Sequence, residues 1–364
     1  MAVISDPRRL TPEYLTDRLK LNGHLLSGRV ERTWIKDRSK HDRVANVIQI
    51  TYSDDSRGAM PQSLFFKYSA NGRLSASSPA FSAGVREGVF YLEVAPAMAQ
   101  APSAPCYDVV IDRETGESQM LLEDLSDTHY LVPASDNPSP YGGWRSFDNL
   151  SRQTFEEIVA QAARFQAFWW GHPETNRQDL LQCTGDLPNM ADTANPESVD
   201  IRLRELSELS DLPSDTIQTA REAIATWPEL YAGRVANAAE HLTFMHVDFH
   251  LRNVLIPHNP SKGGAVILDW ENFTRGIGVS DVAHLLISSM LPPDTRECLE
   301  MDLIERYHQI LIENGVRVYS LEDCLRDYKL SVIALITQQY RARPFLRACV
   351  LAYHSLGCKD LIGG

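Results

Sequence analysis

The stretch His246-Val-Asp248-Phe-His250-Leu-Arg-Asn253, followed after a short connection by Val266-Ile-Leu-Asp269-Trp270-Glu271, decides how this sequence is read. An aspartate with an asparagine five residues on puts a carboxylate and an amide oxygen on one loop, and a brief apolar strand then ends on a second aspartate. Phosphoryl transfer requires this donor set: one carboxylate to accept or orient the proton of an attacking hydroxyl, and an amide oxygen with another carboxylate to hold the magnesium that neutralises phosphate charge. Asp248, Asn253 and Asp269 supply it, and a short hairpin would bring all three to one loop edge. Asp-x4-Asn alone is common by chance. Flanked by His246 and His250 and joined to an apolar strand ending in Asp-Trp-Glu, it becomes specific.

Upstream, Leu10–Leu21 reads as a lead-in helix with Thr11 as N-cap and Pro12 in its first position, where a missing N–H costs nothing. Gly28–Ile35, Val44–Tyr52 and Ser63–Tyr68 are β-branched and aromatic runs parted by polar turns, an antiparallel meander ending on Phe65-Phe66-Lys67. Val85–Met98 has helical spacing, and Tyr107–Asp112 and Gln119–Glu123 add two strands. Past Ser126 the character changes. Val132–Trp144 reads as a loop, and a polar, proline-bearing stretch, His172–Ser198, interrupts the helical sequence that follows. Helical periodicity runs through Phe155–Trp170, Ser214–Val235, Thr295–Asn314, Ser320–Tyr340 and Pro344–Ser355, with strands expected only at Leu242–His246, Val254–Ile256 and Ala265–Trp270. The fold class is therefore α+β and bilobal: a small five-stranded antiparallel N-terminal lobe with one helix, residues 1–124, and a larger, mainly helical lobe, residues 125–364. A chain of 364 residues also exceeds what one core usually supports.

Hydrophobic residues at 43% and charged residues at 23% are ordinary globular usage. The net charge of −13 repels phosphate backbones and anionic membrane surfaces, so neither nucleic acid nor membrane is an expected partner, whereas a cationic acceptor would match it. Six scattered cysteines show no C-x-x-C or zinc spacing and read as reduced. No stretch approaches a signal peptide or a membrane span, and a cytoplasmic location is expected.

The other half of a phosphoryl-transfer site would come from the sheet, with Lys67 reaching the α- and β-phosphates and Glu87 on the helix holding it by a charge-assisted bond. Glu93 is the competing partner. At this point the chain resembles the aminoglycoside phosphotransferase and choline kinase superfamily, small-molecule kinases of protein-kinase-like fold, over most of its length. The family pattern H-G-D-x-H-x-x-N is similar to His246–Asn253, I-D-W-E to Ile267–Glu271, and D-L-A to Asp281-Val-Ala283. E-x-x-F-Y resembles Glu87–Tyr91, and L-L-L-E-D-L-S resembles Met120–Ser126. The resemblance implies that Asp248 is the catalytic base, Asn253 and Asp269 bind Mg2+, Lys67 contacts phosphate with Glu87 in support, and backbone groups of Glu123, Asp124 and Leu125 face the adenine of ATP, with GTP as the alternative donor. His246 and Asp281 would fix the catalytic loop, and His250 would either support that loop or touch the reacting groups. The implied activity is transfer of the γ-phosphoryl to a hydroxyl, or less readily an amine or guanidine nitrogen, of a small molecule.

Three departures stand out. Val247 occupies the family's glycine, Gln166 a position where relatives often carry histidine, and the first hairpin turn, Lys36–Asp42, contains no glycine, leaving backbone N–H groups, Ser39 or a basic side chain to hold phosphates. Rival readings are a metal-dependent hydrolase using His246, Asp248 and His250 on one strand face, a nucleotide-binding pseudokinase scaffold, and a protein kinase. The last lacks D-F-G and room for an activation segment. The acceptor and the oligomeric state are not written in the sequence.

Overall fold

Alternation of large apolar residues builds the first part of the chain. In Ser63–Ser69 (β3), Leu64 and Phe66 are buried while Phe65 and Lys67 fall on the opposite face, the period-two pattern of a strand. β3 pairs antiparallel with Ala45–Tyr52 (β2) and Glu117–Glu123 (β5); Val30–Lys36 (β1) and Cys106–Asp112 (β4) complete a five-stranded sheet in the order β1-β2-β3-β5-β4. The structure is a computed structural model, and it describes residues 2–36, 45–69, 83–184, 193–209, 211–236 and 241–362. Most of the first hairpin turn, Ser39 included, lies outside the described residues.

One sheet face packs Ile48, Leu64, Phe66 and Leu121 against Leu15 and Leu19 of Pro12–Leu21 (α1), which Thr11 caps by accepting from Tyr14 N. On the other face, Ala83–Val89 (α2) lies very close. A Cβ at Gly84 would stand 2.4 Å from Ser118 Oγ, and one at Gly88 2.4 Å from Ile111 Cγ2. Two glycines one turn apart thus let the helix approach and bring Glu87 to Lys67. The expected helix 85–98 does not run through as one element. It passes into a π turn at Phe90–Val94 and a short 3-10 turn at Ala95–Ala97 that carries Pro96, because proline cannot continue the α-helical ladder.

The chain divides into two compact units, Met1–Tyr130 with Ile256–Phe273, and Leu131–Leu255 with Thr274–Gly364. The division differs from the expected boundary at 124/125 by grouping the segment that carries Asp269 with the sheet. Within that first unit, Phe90 stacks on Trp270 at 4.1 Å with planes 6° apart, and Phe273 meets Phe90 edge-on at 5.5 Å. Short strands occur at His129–Leu131 (β6), Val254–Pro257 (β8) and Val266–Ile267 (β9).

The second unit is mainly helical: Arg152–Trp169 (α3), Gln178–Thr184 (α4), Pro196–Ser207 (α5), Ser214–Ala236 (α6), Val279–Ser288 (α7), Pro293–Glu313 (α8), Leu321–Gln339 (α9) and Arg343–Ser355 (α10). Thr243–Met245 (β7) pairs antiparallel with Thr274–Gly276 (β10). α7 is buried along almost its whole length and packs on α9. The polar stretch 172–198, expected to interrupt the helical sequence, contains α4 and the start of α5. Their few apolar anchors, Leu180, Val199 and Leu206, are too sparse to register as a period. Among the described residues no helix is long and apolar enough to cross a membrane.

Candidate active site

The expected site residues fall into two sets, one in each unit. In the first, the period of β3 turns Lys67 away from the apolar core and onto the α2 face. Its Nζ forms ion pairs at 2.6 Å with Glu87 Oε2 and at 2.6 Å with Asp269 Oδ1, so Glu87, not Glu93, is the helix partner. Burial works against the lysine charge, but Glu87 and then Asp269 outweigh it, and its pKa stands above the ordinary lysine range. Glu87 is almost fully buried; desolvation pushes its pKa up to about 7, with Lys67 pulling the other way. One lysine cannot neutralise two carboxylates. Asp269 sits in the left-handed region, φ 64°, which aspartate tolerates better than most residues. That turn presents Asp269 and Glu271 together, and oxygens of Glu87, Asp269 and Glu271 all lie within 4.8 Å of one another. Hard oxygen donors gathered in this way fit a magnesium ion. Glu271 was named above only as part of a motif; its place two residues after Asp269 was the available signal.

At the end of β5, Glu123 N donates to Pro105 O at 2.8 Å and Asp124 N to Ser63 O at 3.3 Å, while Leu125 O accepts from Thr128 N and His129 N. Asp124 Oδ2 accepts from Ser63 Oγ at 2.8 Å. These groups of Glu123, Asp124 and Leu125 are thus engaged within the chain.

In the second unit, β7 delivers His246, Val247 and Asp248. Asp281 of α7 grips this corner: its Oδ2 accepts from His246 N at 2.7 Å and its Oδ1 from Val247 N at 2.9 Å. Gln166 Nε2 also donates to Asp281 Oδ2 at 2.8 Å, and Tyr307 donates to Gln166 Oε1 at 2.6 Å. The position where relatives often carry histidine therefore braces the clamp. Gly278 is required there, since a Cβ would stand 2.6 Å from Tyr307 Oη and 2.7 Å from Gln166 Oε1. Burial pushes the Asp281 carboxyl up to about 7 against the pull of its three N–H donors.

Val247 takes φ 75°, a left-handed conformation that is a genuine outlier for a β-branched residue. It breaks the strand after β7. His246, Asp248 and His250 consequently do not share an alternating strand face, and among the described residues they do not gather their ligand atoms into one metal-sized group; the hydrolase reading falls on this point. His246 is buried, His250 Nε2 lies 3.5 Å from Asp248 Oδ2, and Asp248 keeps 40% of its side chain exposed. The hydrogen bond from His250 holds the Asp248 pKa down to about 2, against partial burial and with further electrostatic help from His250, His284 and His246. Asn253 Nδ2 donates to Asp248 O at 3.0 Å. That bond orients the amide and leaves Oδ1 as its acceptor, which fits a metal ligand. His284 is nearly fully buried and kept neutral, its pKa pulled down to about 4 by burial.

The chain belongs to the Phosphotransferase enzyme family (APH), which matches residues 95–318, more than half of its length. It is thus a phosphotransferase with the α+β architecture of kinases. No curated protein matches the chain in sequence. Among solved structures, choline kinase from Cryptosporidium parvum Iowa II is similar over 96% of this chain and 96% of its own, at 11% identity and TM-score 0.50. A Ralstonia eutropha JMP134 protein assigned as an aminoglycoside phosphotransferase is similar over 94% of this chain and 98% of its own, at 16% identity and TM-score 0.49. An aminoglycoside phosphotransferase from Streptomyces rimosus, in complex with ADP and streptomycin, is similar over 79% and 90% at 17% identity and TM-score 0.43. At these identities the likeness speaks to fold, and only the first carries weight.

Proposed function

We propose that the protein transfers the γ-phosphoryl of ATP, with Mg2+, to a hydroxyl of a small-molecule acceptor. The observation that carries the reading is Lys67 Nζ held at 2.6 Å by both Glu87 and Asp269. An ammonium has three donors; with two engaged, the third is left for a phosphate oxygen. The pairing with Asp269 holds the carboxylate that would bind the metal. Asp269 and Asn253, with Glu271 beside the former, would hold magnesium, which supplies charge neutralisation on the phosphates when bound.

Asp248 is the base. With its pKa near 2 it is too weak to deprotonate an alcohol in advance. Its work is to orient the hydroxyl and take the proton late, as the new O–P bond forms and the bond to the ADP leaving oxygen breaks; this suits a loose transition state. His250 keeps the carboxylate ionised and aimed. Asp281, through His246 N and Val247 N, fixes the backbone that carries it. The purine would use the Leu125 N–H. A scaffold role is disfavoured because every group needed for transfer is present.

The test is ADP formation by purified protein with Mg2+ and ATP across a panel of amino alcohols, aminoglycosides, sugars, nucleosides and hydroxy acids, with Asp248→Ala as control. Acceptor-dependent turnover that vanishes in the variant supports the reading. Turnover that survives in Asp248→Ala, or failure to bind Mg–ATP, sinks it.

A further inference from the structure

The surroundings of Asp248 do not match the overall charge of the chain. With 48 acidic and 35 basic residues, a cationic acceptor was the expectation, yet the side chains that act most on Asp248 are three imidazoles, His250, His284 and His246. Four residues after it, on the turn Leu251–Asn253, Arg252 is exposed. Among the described residues its guanidinium has no hydrogen bond or ion pair, and it lies over the face of Trp144, 6.0 Å from the ring centroid.

Trp144 is a fixed platform. Gly142 and Gly143 adopt φ 81° and 70°, conformations open to glycine, and the turn is closed by Ser139 N donating to Trp144 O at 3.1 Å. Trp144 is 38% exposed. A chain of rings leads from it toward the base: Trp144 to Phe345 at 6.1 Å, Phe345 to His284 at 5.6 Å, His284 to His250 at 6.2 Å, and His250 to Asp248 at 3.5 Å. All of these residues belong to the second unit. An unpaired guanidinium steadied over an aromatic face is suited to a carboxylate, which it grips with two parallel N–H bonds.

We propose that Arg252 and Trp144 recognise the acceptor of the transfer described above, and that this acceptor is a hydroxyl-bearing ring compound with a carboxylate, the carboxylate on Arg252 and the ring against Trp144. The inference rests on that reading of Asp248. It places the substrate among hydroxy acids and away from polyamines and quaternary amines.

Matched probes test it. Hydroxymethylbenzoate and hydroxymethylbenzamide differ only in charge, so kcat/KM with Mg–ATP is compared for the two in the wild type, Arg252→Ala, Arg252→Lys and Trp144→Ala. The acid is expected to be used at least tenfold better. Arg252→Ala raises its KM about 10- to 100-fold, the range for hydrogen bonds to a charged group, and erases the preference, while the ATP KM stays within twofold. Arg252→Lys restores part of the preference, since a point charge lacks the fork, and Trp144→Ala weakens acid and amide alike. Equal use of acid and amide, a better response to choline or an aminoglycoside, or an Arg252→Ala defect confined to ATP overturns the inference. Calorimetric titration of the benzoate into Asp248→Ala separates the two claims: Arg252-dependent binding without turnover supports the recognition surface whatever becomes of the base, and absent or charge-indifferent binding overturns it.

Discussion

Replacing Asp281 by asparagine tests how the base is held. The carboxylate accepts three N–H groups, from His246 N at 2.7 Å, Val247 N at 2.9 Å and Gln166 Nε2 at 2.8 Å. Asparagine has one acceptor oxygen, and its amide would face N–H donors at the other position. Gln166 cannot turn to compensate without losing the bond from Tyr307. One buried backbone N–H is left unsatisfied, at about 1–3 kcal/mol, and the remaining bond loses its charge assistance, roughly 1 kcal/mol more. The total, about 3 kcal/mol, releases a corner in which Val247 stores about 1–2 kcal/mol of left-handed strain. If most of that loss appears as misplacement of Asp248, kcat falls about 100-fold, since each 1.4 kcal/mol is tenfold in rate. The assay is kcat at saturating substrates, with near-UV circular dichroism to show native packing and hydrogen exchange at the His246 and Val247 amides. A variant with kcat within threefold of wild type, or with both amides still protected, refutes the argument that Asp281 positions the base.

Three further outcomes follow from the same geometry. Lys67→Ala removes the partner of both Glu87 and Asp269 and should raise the ATP KM at least tenfold with the acceptor KM little changed; parallel loss on both substrates would show that the lysine is structural. Phe90→Leu keeps most of the volume but removes a ring stack worth about 0.5–1.5 kcal/mol. It should lower kcat/KM for ATP several-fold, and an unchanged value would separate the Phe90–Trp270 stack from the placement of Asp269. The pH dependence has two signs. Activity should fall as pH drops through about 7, where Asp281 takes up a proton and one amide loses its acceptor, and Asp281→Asn should lack that limb. Stability runs the other way for this group: its folded pKa is raised above the unfolded value, so its contribution is complete below pH 3.8 and is lost as pH rises through about 7. Rate profiles and thermal melts across that range check each sign.

Much of this was legible because local physics produces it. The alternation Leu64-Phe65-Phe66-Lys67 gives a strand, the strand's period turns Lys67 onto the helix face, and the helix that follows carries Glu87, so an ion pair with that helix could be expected from element order, with Glu93 as the competing partner until the structure settled on Glu87. Elements were misread where the signal is not local. α4 and α5 rest on a handful of apolar anchors within polar sequence, and the helix over 85–98 reads as continuous until the π turn and Pro96 are seen. The Gln166–Asp281–Tyr307 network joins residues more than a hundred positions apart, and nothing in their neighbourhoods announces one another.

Val247 shows why a substitution is easier to see in sequence than its compensation. Valine in the place of the family's glycine should alter the loop, since a β-branched side chain disfavours positive φ. The structure keeps the glycine-like backbone, φ 75°, and the reason lies in α7: each oxygen of Asp281 takes one of two consecutive backbone N–H groups, a geometry the strained turn presents. Two charge-assisted bonds, about 1.5–3 kcal/mol each, exceed the strain of roughly 1–2 kcal/mol, so the clamp prevails with valine in place. Strain persists where surrounding structure over-determines it, and here what it fixes is the backbone of the residue next in the chain, Asp248.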